Sequence, residues 1–218
     1  MYLSRLILNP RSVSVRQDIA TPYEMHRTIM RAFAGSKPAG DGRVLWRLDR
    51  DRRNGAPVLY VQSPSKPTWE ALSTEYPDYL LPPAGEPNPA VRDDFPPAFR
   101  VGQTLSFRLR ANPTVKKKVT GKKNGRRLGI IGEELQIKWL RRKGERGGFS
   151  LLSAVAVCED QPKALKKGKK HGAPLSLLSV RFEGVLAVTD PERFTQTLAA
   201  GIGSGKAFGF GLLSIAPA

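Results

Sequence analysis

The chain predicts an α+β protein made of two successive β-α-β-β-α-β units. Three observations predict it. The 218 residues are 40% hydrophobic, enough apolar material for two small cores. One order of strand-like and helix-like segments runs twice along the chain. Each run also carries a helix whose start is marked by a cap residue followed by proline, Thr21-Pro22 and Asp190-Pro191. Two units of this order, each a four-stranded antiparallel sheet with helices on one face, form tandem ferredoxin-like (RRM-like) domains. The boundary is expected between residues 95 and 96, giving domains 1–95 and 96–218.

In the first unit, Met1–Asn9 reads as a strand. Thr21–Ala34 reads as a helix with Thr21 as N-cap, Pro22 at the first position and Glu24 closing a capping box. Met25, Ile29 and Phe33 recur every four residues and form its buried stripe. Val44–Asp49 and Pro57–Gln62 read as strands around the turn pair Asn54-Gly55. Pro67–Glu75 reads as a short helix. Leu81–Pro97, which holds six prolines, reads as an extended connection, so the strand that should close this unit has no clear signal.

The second unit begins with the alternating strand Thr104–Ala111, followed by a basic loop, Asn112–Arg127. Gly132–Lys143 reads as a helix whose apolar residues Leu135, Ile137, Trp139 and Leu140 share one side imperfectly. Phe149–Cys158 and Leu175–Thr189 read as strands, the latter with a bulge at Gly184. Asp190 and Pro191 open the last helix, and Leu212–Ile215 closes the unit as a strand. The two units show no sequence self-similarity.

The formal charge of +17 is concentrated. Residues 112–146 and 161–171 together hold +14 of it in 46 residues. A merely soluble surface mixes the two signs, so these blocks point to a polyanion, first of all a nucleic acid. They lack the interleaved aromatic and leucine residues of a membrane-surface helix. No apolar run is long enough to cross a bilayer, and MYLSRLILNPRS reads as a strand rather than a signal peptide. The single cysteine, Cys158, rules out an internal disulfide and suits a reducing cytoplasm. It sits in an apolar run and reads as structural.

Against this positive field, the helix segment Thr21-Pro22-Tyr23-Glu24-Met25-His26-Arg27 stands out. It carries one of the two histidines, with Tyr23 three residues earlier and so adjacent on the helix surface. The positive end of the helix dipole disfavours imidazolium there, which leaves a neutral, proton-accepting His26. Such a histidine among cations can cut RNA without a metal. The RNA's own 2′-hydroxyl attacks the adjacent phosphorus and expels the 5′-oxygen, leaving a 5′-hydroxyl and a 2′,3′-cyclic phosphate. The step needs a proton acceptor, a proton donor and positive charge at the non-bridging oxygens. His26 and Tyr23 can share the proton transfers in either order, and Arg27, Arg31 or Lys206 can stabilise the charge. His26 and His171 have no metal-ligand spacing and the acids are scattered, so neither a metal nor another cofactor is expected.

The segment Gly201-Ile202-Gly203-Ser204-Gly205-Lys206-Ala207-Phe208-Gly209-Phe210-Gly211 follows the last helix. It is not a phosphate-binding P-loop, because Ala200 and Ala207 occupy positions that motif needs. Nor is it a dinucleotide fingerprint, since it does not open a helix. Its glycines allow close backbone approach, either to a phosphate or to a neighbouring element. On residues alone, three readings stay open: an endoribonuclease, a non-catalytic RNA-binding scaffold of a ribonucleoprotein, and a general DNA- or ribosome-associated basic protein.

Taken together, the opening MYLSRLILNP, the PYEMHR helix, LWRL near residue 46, FRLRANP at 107–113, the FEG-VTDPER stretch at 182–193 and the GxGxGKAxGxGLLS end resemble the CasE family over nearly the whole chain. This family belongs to the RAMP superfamily and comprises the repeat-cleaving endoribonucleases of type I-E CRISPR systems. The resemblance implies tandem ferredoxin-like domains and binding of the CRISPR repeat RNA hairpin. It implies metal-independent cleavage at the base of the stem and partnership with other subunits of the type I-E Cascade complex. It makes His26 and Tyr23 catalytic. It also gives a role to a basic residue further along the helix, where Arg31 replaces an expected lysine; arginine stays protonated and stabilises charge without acting as a base. RNA contacts are expected from Arg27, from Lys116, Lys117, Lys118, Lys122, Lys123, Arg126 and Arg127, from Lys163, Lys166, Lys167, Lys169, Lys170 and His171, and from Gly203, Gly205 and Lys206.

Overall fold

In the computed structural model, residues 1–33, 43–51, 53–83, 85–117, 126–159 and 177–218 are described. The expected stretches Lys118–Lys123 and Lys163–His171 lie outside them, as do Ala34 at the end of the expected helix and the side chains of Lys117 and Arg126. The chain divides into two compact units. Among the described residues, the first takes 1–97 and 206–209, and the second takes 98–159, 177–205 and 210–218.

The first unit runs β1 (Tyr2–Ile7), α1 (Val13–Ala20), α2 (Pro22–Arg31), β2 (Leu45–Arg50), β3 (Pro57–Ser63), α3 (Glu70–Glu75) and β4 (Ala90–Arg92). Its sheet has the order β2-β3-β1-β4 with every neighbour antiparallel, which is the ferredoxin-like order. The strands alternate. Leu6 and Leu59 face each other across β1 and β3, as Trp46 and Val61 do across β2 and β3, and all four join one buried core. Onto it α2 lays Met25, Ile29 and, just past its end, Phe33, the expected stripe. Trp69 packs edge-on against Phe33 at 6.2 Å and donates from its indole to Ser4 Oγ at 3.0 Å.

Three local expectations are corrected. Val13–Ala20 forms a helix, α1, that sequence reading passed over. Thr21 ends α1 and starts α2 but makes no side-chain cap; its carbonyl accepts from Glu24 N at 2.8 Å, and the Glu24 carboxylate turns to Arg27 at 2.8 Å instead of closing a box. The proline-rich stretch is not merely a connection, for it contains the closing strand β4. Asn88 pins it there, accepting from Ile7 N at 2.8 Å and donating to the carbonyls of Ile7 (2.8 Å) and Leu81 (2.7 Å).

The second unit runs β5 (Thr104–Ala111), β6 (Thr114–Lys117), β7 (Arg126–Gly129), α4 (Glu133–Gly147), β8 (Phe149–Glu159), β9 (Ser179–Val188), α5 (Pro191–Ala200) and β10 (Leu213–Pro217). Its main sheet, β10-β5-β9-β8, is antiparallel and repeats the ferredoxin-like order. The helices cover the face that carries Phe182 and Phe149: Trp139 of α4 stacks on Phe182, and Phe194 of α5 meets Phe149 edge-on. Asp190 caps α5 as expected, accepting from Arg193 N at 3.1 Å. Of the expected face of α4, Trp139 and Leu140 are buried and Leu135 is exposed; Gln136 is buried in addition, its amide donating to the Ile130 carbonyl at 2.9 Å. The expected loop Asn112–Arg127 is not all loop: it contains strand β6 and the start of β7, which form a two-stranded ribbon with Lys116 paired opposite Arg127. Cys158 is exposed rather than in the core.

The irregularity near Gly184 belongs to the partner strand. Between Leu151 and Ser153, β8 carries an extra residue, and Gly184 lies against that bulge. A Cβ on Gly184 would stand 2.1 Å from the Ser153 carbonyl oxygen, so the strands must separate to admit one. Gly184→Ala is expected to destabilise the protein by at least about 1–3 kcal/mol, as overpacking against unyielding backbone does. The measurement is the urea midpoint against wild type; an unchanged midpoint contradicts this packing.

Candidate nucleic-acid interface and active site

Helix α2 distributes its side chains by rotation. Successive residues step 100° around the axis, so with Met25 and Ile29 turned into the core, two other faces remain. Tyr23 and His26, three residues apart, share one of them. The other carries Glu24, Arg27, Thr28 and Arg31, which line a cleft of about 470 Å³ between α1 and α2, together with Asp18 and Tyr76.

His26 is half-buried, and its Nδ1 is enclosed without a hydrogen-bond partner. Burial pushes its pKa below the ordinary 6.5, since a charged imidazole loses hydration there without compensation. The ring is therefore neutral at physiological pH. Desolvation by burial is the cause. Tyr23, also half-buried, sits in the first turn of α2, and its ring meets Phe208 with centroids 6.0 Å apart.

Arg31 is not brought to the imidazole face. It is ion-paired with Glu75, donates to the Tyr76 hydroxyl at 2.5 Å, and lies over the Tyr76 ring at 5.3 Å. These contacts raise its pKa further, chiefly through Glu75. Arg27, more exposed, pairs with Glu24 at 2.8 Å. Below the cleft, Tyr79 donates to Asp18 Oδ2 at 2.6 Å, and burial pushes the Asp18 carboxyl above its ordinary range.

The glycine-rich segment serves both units. Lys206–Phe208 forms one turn of 3-10 helix that clusters with the first unit and packs on α2. Gly203 and Gly205 belong to the second unit, at φ +84° and +82°. A Cβ on Gly203 would stand 3.2 Å from the Trp139 ring, and one on Gly205 3.0 Å from Phe210. Packing within the protein accounts for both glycines. Gly211 N donates to the Arg110 carbonyl at 2.8 Å and ties the segment to β5.

Two basic surfaces differ in kind. On the helix-free face of the second sheet, Arg108, Glu183, Arg181, Glu159 and Arg110 form a continuous chain of ion pairs, with contacts of 2.5–2.8 Å. Those charges are largely neutralised by one another. In the β6–β7 ribbon, Lys116 and Arg127 are both exposed and face each other across the ladder. Like charges directly opposite are unfavourable until an anion lies between them. Sequence reading missed Phe208, Glu75 and Tyr76 as partners of the site residues. An aromatic inside a glycine-rich run was the one available signal for Phe208; the Arg31 partners lie more than 40 residues away with no local mark.

Residues 1–217 match the family model described as CRISPR associated protein. The chain is 40% identical to the CRISPR-associated endoribonuclease Cse3 of Thermus thermophilus, over the full length of both proteins. It is 30% identical, again over both full lengths, to the CRISPR system Cascade subunit CasE of Escherichia coli K12. Among solved structures it resembles CRISPR endoribonuclease Cse3 bound to a 19-nt RNA, with a TM-score of 0.78, 38% identity and complete coverage of both chains. Thermus thermophilus Cse3 bound to an RNA representing a pre-cleavage complex gives the same TM-score at 39% identity, with 99% of this chain and 98% of that one covered. With a ferredoxin-like sheet in each unit and a neutral histidine beside a tyrosine on its second helix, the chain belongs to the Cse3/CasE family of CRISPR-associated proteins.

Proposed function

We propose that this protein is an endoribonuclease that binds the stem-loop of CRISPR repeat RNA, cuts it at the base of the stem without a metal, and acts in the cytoplasm with the other subunits of a type I-E Cascade complex. The observation that carries this reading is the half-buried imidazole of His26, held neutral one helical turn from Tyr23. Its relatives' names and RNA-bound states support the substrate class.

The chemistry is transesterification. The 2′-oxygen forms a bond to phosphorus as its proton passes to an acceptor on the protein. The bond from phosphorus to the 5′-oxygen breaks, and that oxygen takes a proton. A 5′-hydroxyl and a 2′,3′-cyclic phosphate result. His26 and Tyr23 handle the two protons, and Arg27 and Lys206 supply positive charge near the phosphate. Arg31, fixed by Glu75 and Tyr76, contributes its field and its hold on α3. Lys116 and Arg127 of the ribbon, with the lysines expected around them and at 163–170, grip phosphates; such contacts position the RNA rather than read its sequence. Catalysis is assigned to residues 1–95 and RNA-holding segments to 96–218, and the clustering of 206–209 with the first unit supports adding that turn to the catalytic side.

Three measurements test this reading. His26→Ala is expected to slow cleavage of the repeat hairpin by about 10²–10⁴-fold while leaving its affinity intact, with EDTA without effect on the wild type. Unchanged cleavage by the variant, or loss of wild-type cleavage in chelator, refutes it, and wild-type binding without scission favours a scaffold. By NMR, the His26 imidazole titrates below 6.5. Because its folded pKa is depressed, the unfolded state binds more protons just below pH 6.5. Stability therefore falls on acidification from about 6.5 down to the folded pKa, and His26→Ala loses that portion of the slope. Lys116→Ala is expected to weaken RNA binding and reduce the salt slope of log K by about 1, with the cleavage rate of bound RNA unchanged. An unaltered slope removes Lys116 from the phosphate contacts.

A further inference from the structure

The Tyr23 hydroxyl has no hydrogen-bond partner among the described residues, so ring packing must hold the phenol in place. That packing comes from the other end of the chain. Phe208 is buried, with 8% of its surface exposed, and its ring lies against Tyr23 at 6.0 Å with a tilt of 35°. The turn that presents Phe208 is itself wedged. Gly209 follows it at φ +81°, and a Cβ there would stand 2.8 Å from the Trp46 indole. Trp46 is buried in the core of the first unit, so it provides a rigid floor. The backbone therefore passes closer to that floor than any side chain would allow, and Gly209 N returns to the Lys206 carbonyl at 3.3 Å to close the turn.

We propose that Phe208 is a positioning residue for RNA cleavage: pressed between the Trp46-supported turn and helix α2, its ring fixes the orientation of Tyr23 and thereby the placement of the phenol beside His26. This rests on the catalytic reading of α2 above. The physical basis is geometric. A tyrosine has two side-chain torsions, and losing the ring that blocks one of its rotamers lets the hydroxyl swing by several ångströms. A misplacement of about 1 Å costs a reaction of this kind up to about 100-fold. RNA affinity, set mainly by phosphate contacts elsewhere, is unaffected.

The test is a double-mutant cycle on the full chain, reading single-turnover cleavage of repeat hairpin RNA at saturating protein, alongside RNA affinity. Phe208→Ala is expected to slow cleavage by about 10–100-fold with affinity changed less than about 3-fold, and Phe208→Tyr, which keeps the ring, to cleave at close to the wild-type rate. In a Tyr23→Phe background, adding Phe208→Ala is expected to change the rate by less than about 3-fold, because the hydroxyl it positions is already gone. Multiplicative effects of the two substitutions overturn the proposal. So does a Phe208→Ala defect that lies wholly in affinity, or a Tyr23→Phe protein that cleaves at the wild-type rate. If Phe208→Ala lowers the melting temperature into the assay range, Phe208→Leu, which keeps apolar volume but no ring, takes its place in the same cycle. His26→Ala separates the two levels of argument. A dead His26→Ala with normal cleavage by Phe208→Ala removes only the role of Phe208, whereas an active His26→Ala removes the catalytic reading itself.

Discussion

The seat of α2 on the first sheet sets the geometry of everything chemical in this molecule. Met25 and Ile29 are almost completely buried, and each contributes about 1.5–3 kcal/mol by leaving water. The ion pair of Arg31 with Glu75 is partly exposed and contributes at most about 1 kcal/mol. The apolar stripe therefore decides how the helix is rotated, and the charges accommodate. A slip of one residue would turn the helix by 100°, carry Tyr23 away from Phe208, and expose the stripe. Asp18 adds a second lock beneath the helix: the Tyr79 hydroxyl donates to its carboxylate and also lies 3.5 Å from Met25 Sδ.

The charge pattern shows where a polyanion is welcome. An RRM-type platform binds single strands by stacking bases on aromatic residues of the open sheet face. In the second unit Phe107, Phe149 and Phe182 all turn the other way, into the core. Their open-face neighbours Arg108, Arg110 and Arg181 are consumed by Glu159 and Glu183. That face is built for internal cohesion. The β6–β7 ribbon places Lys116 opposite Arg127 with no acid between them in the described ladder. On the proposed reading, phosphate binding relieves the repulsion between them.

Much of this architecture was legible in the sequence because it is written locally. The Met25–Ile29–Phe33 spacing, the Asp190-Pro191 start and the alternation of Thr104–Ala111 each encode an element within a dozen residues. What escaped is decided by distant partners. Helix α1 has mixed polarity and no strong start signal, and it is helical because Val15 and Asp18 find burial on the first unit. Strand β4 is three residues long amid prolines and exists because β1 offers an open edge and Asn88 fastens the chain to it. On α4, Gln136 is buried with its amide on the Ile130 carbonyl, while the apolar Leu135 stays exposed. At the candidate site, the helix and the shared face of Tyr23 and His26 were readable, and the partners of Arg31 were not. Nor was the return of residues 206–209 to the first unit, since nothing near Phe208 in the sequence names Tyr23 as its neighbour.

The division of roles along α2 follows from what each group can release. A guanidinium does not give up its proton in a protein, and Arg31 is held further in that state by Glu75. On the proposed reading it shapes the field and ties α2 to α3 but takes no part in moving a proton. A lysine in its place could exchange one, so the arginine narrows the set of proton carriers on this helix to His26 and Tyr23. Burial keeps His26 neutral, in a chain whose net positive charge also opposes imidazolium. On the proposed reading, with His26 as the acceptor, a neutral imidazole meets a 2′-hydroxyl ready to take its proton and becomes a cation only as the phosphorane gathers negative charge. The burial that makes a resting charge costly is thus offset by the substrate at the one moment when that charge is useful.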